Sequence, residues 1–98
     1  MTDQQSELRG IVAQTALELS QIGSFDTHEL IRQVMQRHQR VYVEALASTT
    51  AEPLFQTLHS MIGTWIGKDC ADRLDGEASR SADVFGQNSN CIRWKQKI

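Results

Sequence analysis

The chain has 98 residues, 40% of them hydrophobic and 22% charged, enough for one domain with a single modest core. A formal net charge of -2 excludes a general attraction to nucleic acid or anionic lipid and leaves such roles to local basic clusters. Cys70 and Cys91 are too few for the disulfide framework of a small secreted domain, and no apolar run approaches the ~20 residues of a membrane span.

Taken in order, residues 2–22 are predicted to form a first helix, with Leu8, Ile11, Val12, Thr15, Leu19 and Ile22 on one face. Thr2 and Gln5 have the spacing of a capping box, and Gly23 is placed to end the helix in a left-handed conformation. The polar first residues, TDQQSELRG, carry no apolar leader, so a cytoplasmic protein with reduced thiols is the expectation. In Ser24-Phe25-Asp26-Thr27-His28-Glu29-Leu30, Asp26 can cap Glu29, Glu29 can return the bond, and Phe25 and Leu30 occupy staple positions. A second helix is therefore expected over 27–47, burying Leu30, Ile31, Val34 and Met35, then Val41, Tyr42 and Leu46. The polar interval RHQR and the β-branched run Val41-Tyr42-Val43 allow a kink near His38.

The third predicted helix covers 53–74, entered through Thr49 and Glu52 as a capping box with Pro53 in the first turn. Leu54, Leu58, Met61, Ile62, Trp65 and Ile66 make its apolar stripe, with Leu54, Leu58, Ile62 and Trp65 expected in the core. Gln56, Thr57, Ser60, Thr64 and Lys68 form a polar row on another side. GEASRSAD then reads as a polar linker, and a hairpin is expected over about 82–97, turning at GQNSN. In its second arm Ile92, Trp94, Gln96 and Ile98 share one face, while Arg93, Lys95 and Lys97 share the other. The expected fold is mainly α with a small C-terminal β-hairpin, a three-helix single domain.

Three helices followed by a basic hairpin resembles a winged helix-turn-helix domain over residues 6–97, with GSFDTHELI similar to that family's entry into its second helix. The resemblance makes 53–74 the recognition helix and the hairpin the wing. It implies a transcription regulator that binds double-stranded DNA, acting as a dimer on a paired site. In that role Gln56, Thr57, Ser60, Thr64 and Lys68 would meet the major groove, where Gln pairs with adenine and Ser or Thr with several base edges. Arg93, Lys95 and Lys97 would grip phosphates. The bland alternatives are a solvated helix face and a charged edge that deters strand aggregation. A second function class is a protein-binding adaptor or inhibitor on the same scaffold, suggested by the net acidity and by Asp69, Asp72 and Asp75 at a spacing of three.

Catalysis has no sequence support: there is no phosphate loop, nucleophile elbow or H-E-x-x-H. No cofactor is expected, and no metal site, since His59, Cys70 and Cys91 match no paired ligand spacing. His28, in a helix's first turn, is expected at the surface, His38 at the kink, and His59 against the apolar stripe. Arg32, Arg37 and Arg40 read as a solvated face or a phosphate contact.

Overall fold

The computed structural model describes all 98 residues. Its elements run α1 (Asp3–Ile22), β1 (Phe25–Asp26), α2 (Thr27–Arg37), α3 (Gln39–Ala47), α4 (Leu54–Asp69), β2 (Leu74–Ala82) and β3 (Asn88–Gln96). Both sequence-read caps at the first two helices form. Thr2 Oγ1 accepts from Gln5 N at 3.0 Å while Gln5 Oε1 accepts from Thr2 N at 3.1 Å. Gly23 follows α1 with φ 166°, an extended conformation open to any residue, so it ends the helix without the left-handed turn expected of it. Asp26 caps α2 by accepting from Glu29 N at 2.8 Å. Glu29 does not close a capping box there; its carboxylate stands 3.6 Å from Arg93 Nη1 instead.

The RHQR interval breaks the expected second helix into two. His38 (φ -131°, ψ 53°) ends α2 and precedes α3, so the domain has four helices rather than three. Thr49 does not cap the next helix. Its side chain is buried and serves the junction of α1 and α3, donating to Ala45 O at 2.9 Å and accepting from Gln5 Nε2 at 3.3 Å. Pro53 occupies the N-cap of α4 with no side-chain hydrogen bond.

The helix α4 ends at Asp69, earlier than the apolar period suggests, because Cys70-Arg73 turn and Leu74 already enters a strand. What reads as a linker after Gly76 is β2, paired with β3 residue for residue from Leu74↔Gln96 to Ala82↔Asn88. β1 pairs with the other side of β3, Phe25 against Trp94 and Asp26 against Arg93, giving a three-stranded antiparallel sheet of order β1-β3-β2. The turn between β2 and β3 is built on Asp83, whose Oδ1 accepts from Phe85 N and Gln87 N, and on Gly86 at φ 81°, where a side chain would be strained.

One core joins these elements: Leu8, Val12 and Ala16 of α1, Leu30, Ile31 and Val34 of α2, Tyr42 and Ala45 of α3, and Leu58, Ile62, Trp65 and Ile66 of α4. Phe25, Leu74 and Trp94 bring the sheet into it. Leu54 is only half-buried, outside this cluster. No helix is long and apolar enough to cross a membrane. Asp26→Ala removes a cap inside this core and is expected to cost about 0.5–2 kcal/mol. An unchanged midpoint and slope in urea denaturation would place the start of α2 elsewhere.

Candidate functional site

The outer surface of α4 and the hairpin beside it hold the residues singled out from sequence. Gln56, Ser60, Thr64 and Lys68 are exposed and follow one another a turn apart, with no acidic residue among them. Thr64 Oγ1 donates to Ser60 O at 3.1 Å, a bond to its own helix that fixes the hydroxyl without using any other element. Asp83 of the hairpin turn faces Gln56 and Ser60 across the cleft beside them, and Asp69, next to Lys68 in the chain, is bound by Arg9 through two hydrogen bonds of 2.6 and 2.7 Å. That partner holds the Asp69 carboxyl below its ordinary range, and Asp69 raises the Arg9 guanidinium in turn. Thr57 stands apart: it is half-buried and lines a separate depression with Arg9, Met61 and Trp65.

The hairpin lies along the other side of Gln56 and Ser60 and does not stand free. Arg32 of α2 donates to Ala82 O at 2.9 Å, and His28 Nδ1 and Nε2 lie 2.8 Å from Ser81 Oγ and 3.3 Å from Ser89 Oγ. His28 is therefore buried, contrary to the sequence expectation, because both arms of the hairpin close over it. At the turn, Phe85 packs edge-on against Phe55 of α4, ring centres 5.2 Å apart at 88°. Between α4, the start of α2 and the hairpin a cleft of about 240 Å³ remains, lined by Gln56, His59, Ser60 and Gly63 on one wall and Asp83, Phe85 and Asn90 on another.

His59 is the satisfied packing histidine the sequence suggested. Its Nε2 lies 2.7 Å from Tyr42 Oη, burial pushes the imidazole down to about 4, and burial pushes the tyrosine up to about 12. At neutral pH the pair is uncharged.

The three basic residues on and just past β3 have different surroundings. Arg93 is held internally, donating to Ser24 Oγ at 3.2 Å and standing 3.8 Å from Asp26 Oδ2 and 3.6 Å from Glu29 Oε1. It also faces Glu77 across the ladder, and Lys95 faces Asp75. Lys97 lies just past the strand, exposed, with its backbone N–H donating to Arg73 O at 3.0 Å. The expected acidic row of Asp69, Asp72 and Asp75 does not form on one helix, because only Asp69 lies in α4 and Asp75 belongs to β2. Arg37 lies 3.7 Å from Glu18, and Arg40 is exposed. Comparison of the chain with protein-family models, curated proteins and solved structures finds no match.

The surface thus offers hydrogen-bonding groups on one helix, a compensated charged strand beside it, and a partly polar cleft between. The outer face of α4 carries amide and hydroxyl groups able to form hydrogen bonds. Sequence periodicity located the α4 row. It missed His28 and Asp83 as organisers of the hairpin, since both act through residues more than 50 positions away or through the turn's own backbone.

Proposed function

We propose that this domain is a winged helix-turn-helix DNA-binding regulator in which α4 enters the major groove and the β2–β3 hairpin is the wing. The observation that carries the reading is the solvent face of α4: Gln56, Ser60, Thr64 and Lys68 in one uninterrupted row beside the hairpin, with Asp69 neutralised by Arg9. The element order and the β1-β3-β2 sheet support it as fold-level analogy. Gln56, Ser60 and Thr64 supply base-edge contacts, with Thr57 at their margin. Lys68, Lys95 and Lys97 supply phosphate contacts, and Arg93 is given mainly to holding the hairpin against α2. A dimer on a two-fold related site is the matching assembly.

A specific observation favours the second reading, a protein-binding adaptor or inhibitor without DNA binding. Asp75 and Glu77 oppose Lys95 and Arg93 across the ladder, so the strand that looked basic in sequence presents a mixed face. Such a face suits a polar protein partner better than a polyanion.

Titration of DNA binding against salt separates the two. Under the first reading, Lys68→Ala with Lys97→Ala weakens binding to all sequences alike, and each lost phosphate contact lowers the slope of log K against log salt by about 0.9. Gln56→Ala instead relaxes discrimination at one base pair, by about 1–3 kcal/mol, with little change in slope. Wild-type protein with no DNA affinity above the non-specific range at low salt removes the first reading and leaves the second.

A further inference from the structure

Beneath the hairpin, at the cleft it shares with α4, three residues of metal-ligating type converge from three elements. Asp26 of β1, His28 of α2 and Cys91 of β3 each offer a ligand atom, and these atoms lie within 4.8 Å of one another. Asp26 and His28 are 2% and 8% exposed, and Cys91 is half-buried. We propose that Asp26, His28 and Cys91 bind a thiophilic divalent cation of the Zn²⁺ type, which ties the hairpin to the start of α2.

The donor set is one nitrogen, one sulfur and one oxygen, a combination that Zn²⁺ accepts and that hard, oxygen-seeking cations do not favour. Bond lengths of about 2.0–2.3 Å in a tetrahedron put donors roughly 3.5 Å apart, so the three must close by about 1 Å. Asp26 and Cys91 have free capacity for this, while His28 must give up one of its two serine partners. The Asp26 cap uses Oδ1, leaving Oδ2 with only Arg93 Nη1 at 3.8 Å. Cys91 is a free thiol with Ser81 Oγ at 3.7 Å, a weak partner for the sulfur. His28 has a serine hydroxyl at each nitrogen, so whichever nitrogen takes the cation, the other keeps an oxygen to hold the ring in place, as metal-bound imidazoles generally do. His28 and Cys91 also line the cleft, which gives a route for the ion and a water for the fourth position. On binding, the Cys91 thiol releases its proton to solvent and ligates as thiolate.

The His59, Cys70 and Cys91 combination does not arise, because Cys70 is buried against α1, its sulfur 4.0 Å from Ala13 O. The proposal does not depend on DNA binding.

The test is a titration of the full chain, under reducing conditions, with Co²⁺ as the probe and Zn²⁺ as competitor. One equivalent of Co²⁺ is expected to produce a thiolate-to-cobalt charge-transfer band that Zn²⁺ abolishes. Cys91→Ser should remove the band and weaken Zn²⁺ binding at least ~100-fold, beyond the 10–100-fold typical of outer partners. Asp26→Asn, which keeps a good N-cap, should weaken it at least tenfold if Cys91→Ser does not fold. Cys70→Ala should leave the band in place. Wild-type protein without a thiolate band, a band that survives Cys91→Ser, or Zn²⁺ affinity unchanged in Asp26→Asn overturns the site.

Discussion

Leu58→Ala should lower the free energy of unfolding by about 2–5 kcal/mol, the range for deleting a fully buried leucine. Leu58 has no exposed surface and sits in α4 one turn before Ile62, in the cluster that joins α4 to the other helices. The loss has two parts, the transfer free energy of the removed methyl-bearing carbons and the cavity that remains after partial collapse. A domain of this size has about 5–15 kcal/mol to lose, so the variant unfolds at markedly lower urea with an unchanged slope. A loss under about 0.5 kcal/mol, typical of surface changes, would mean that α4 presents the opposite face to the core. Its polar row would then be buried, and the reading of Gln56, Ser60 and Thr64 as outward contacts would fall with it.

The helices were legible where local chemistry and burial agree. Thr2 with Gln5, and Asp26 before Glu29, announce helix starts because a cap acts within four residues. The stripe Leu58, Ile62, Trp65 and Ile66 announces the buried side of α4 through its period. β2 gave no such signal. Asp75 to Ala82 contains no β-branched or aromatic residue and is mostly exposed, so neither propensity nor alternation marks it. It is a strand because β3 supplies its partners over nine positions. The same limit applies at Thr49, whose spacing to Glu52 matches a capping box while its hydroxyl is taken by Ala45 O.

The candidate site divides along the same line. Gln56, Ser60, Thr64 and Lys68 share a face by arithmetic on one helix. The state of Arg93, Lys95 and Lys97 depends on register, which a single strand's sequence does not contain. Sequence shows three cations alternating near the end of the chain; pairing sets Glu77 and Asp75 opposite two of them and brings Asp26 and Glu29 to Arg93. His28 was misread for a related reason. A first-turn histidine is exposed on an isolated helix, and only the distant Ser81 and Ser89 make it internal.

The largest single-residue effect expected in the sheet is at Trp94, where replacement by alanine should cost about 3–5 kcal/mol. Its ring connects three elements. The indole N–H donates to Thr27 Oγ1 at 3.0 Å, and Thr27 Oγ1 itself donates to Ile92 O at 3.1 Å, linking the start of α2 to β3. The ring also covers Gly67 and Gly76: a Cβ on Gly67 would meet it at 3.6 Å, ordinary contact, but one on Gly76 would lie 2.7 Å from both Trp94 and Ile92. Gly76 is thus required by close approach of its cross-strand partner. Gly76→Ala must displace the indole and the Ile92 side chain and is expected to cost about 1–3 kcal/mol by overpacking. Trp94→Phe keeps much of the buried ring and loses the hydrogen bond, so about 0.5–1.5 kcal/mol of its cost comes from that bond. The decisive measurement is the double-mutant cycle. If Trp94 helps to exclude a side chain at Gly76, adding Gly76→Ala to Trp94→Ala costs less than it does alone, because the clash with the indole has gone and only that with Ile92 remains. The loss in the double variant would then fall short of the sum of the two single losses by at least about 0.5 kcal/mol. Strict additivity would show that the cost at Gly76 is set by Ile92 and not by the indole.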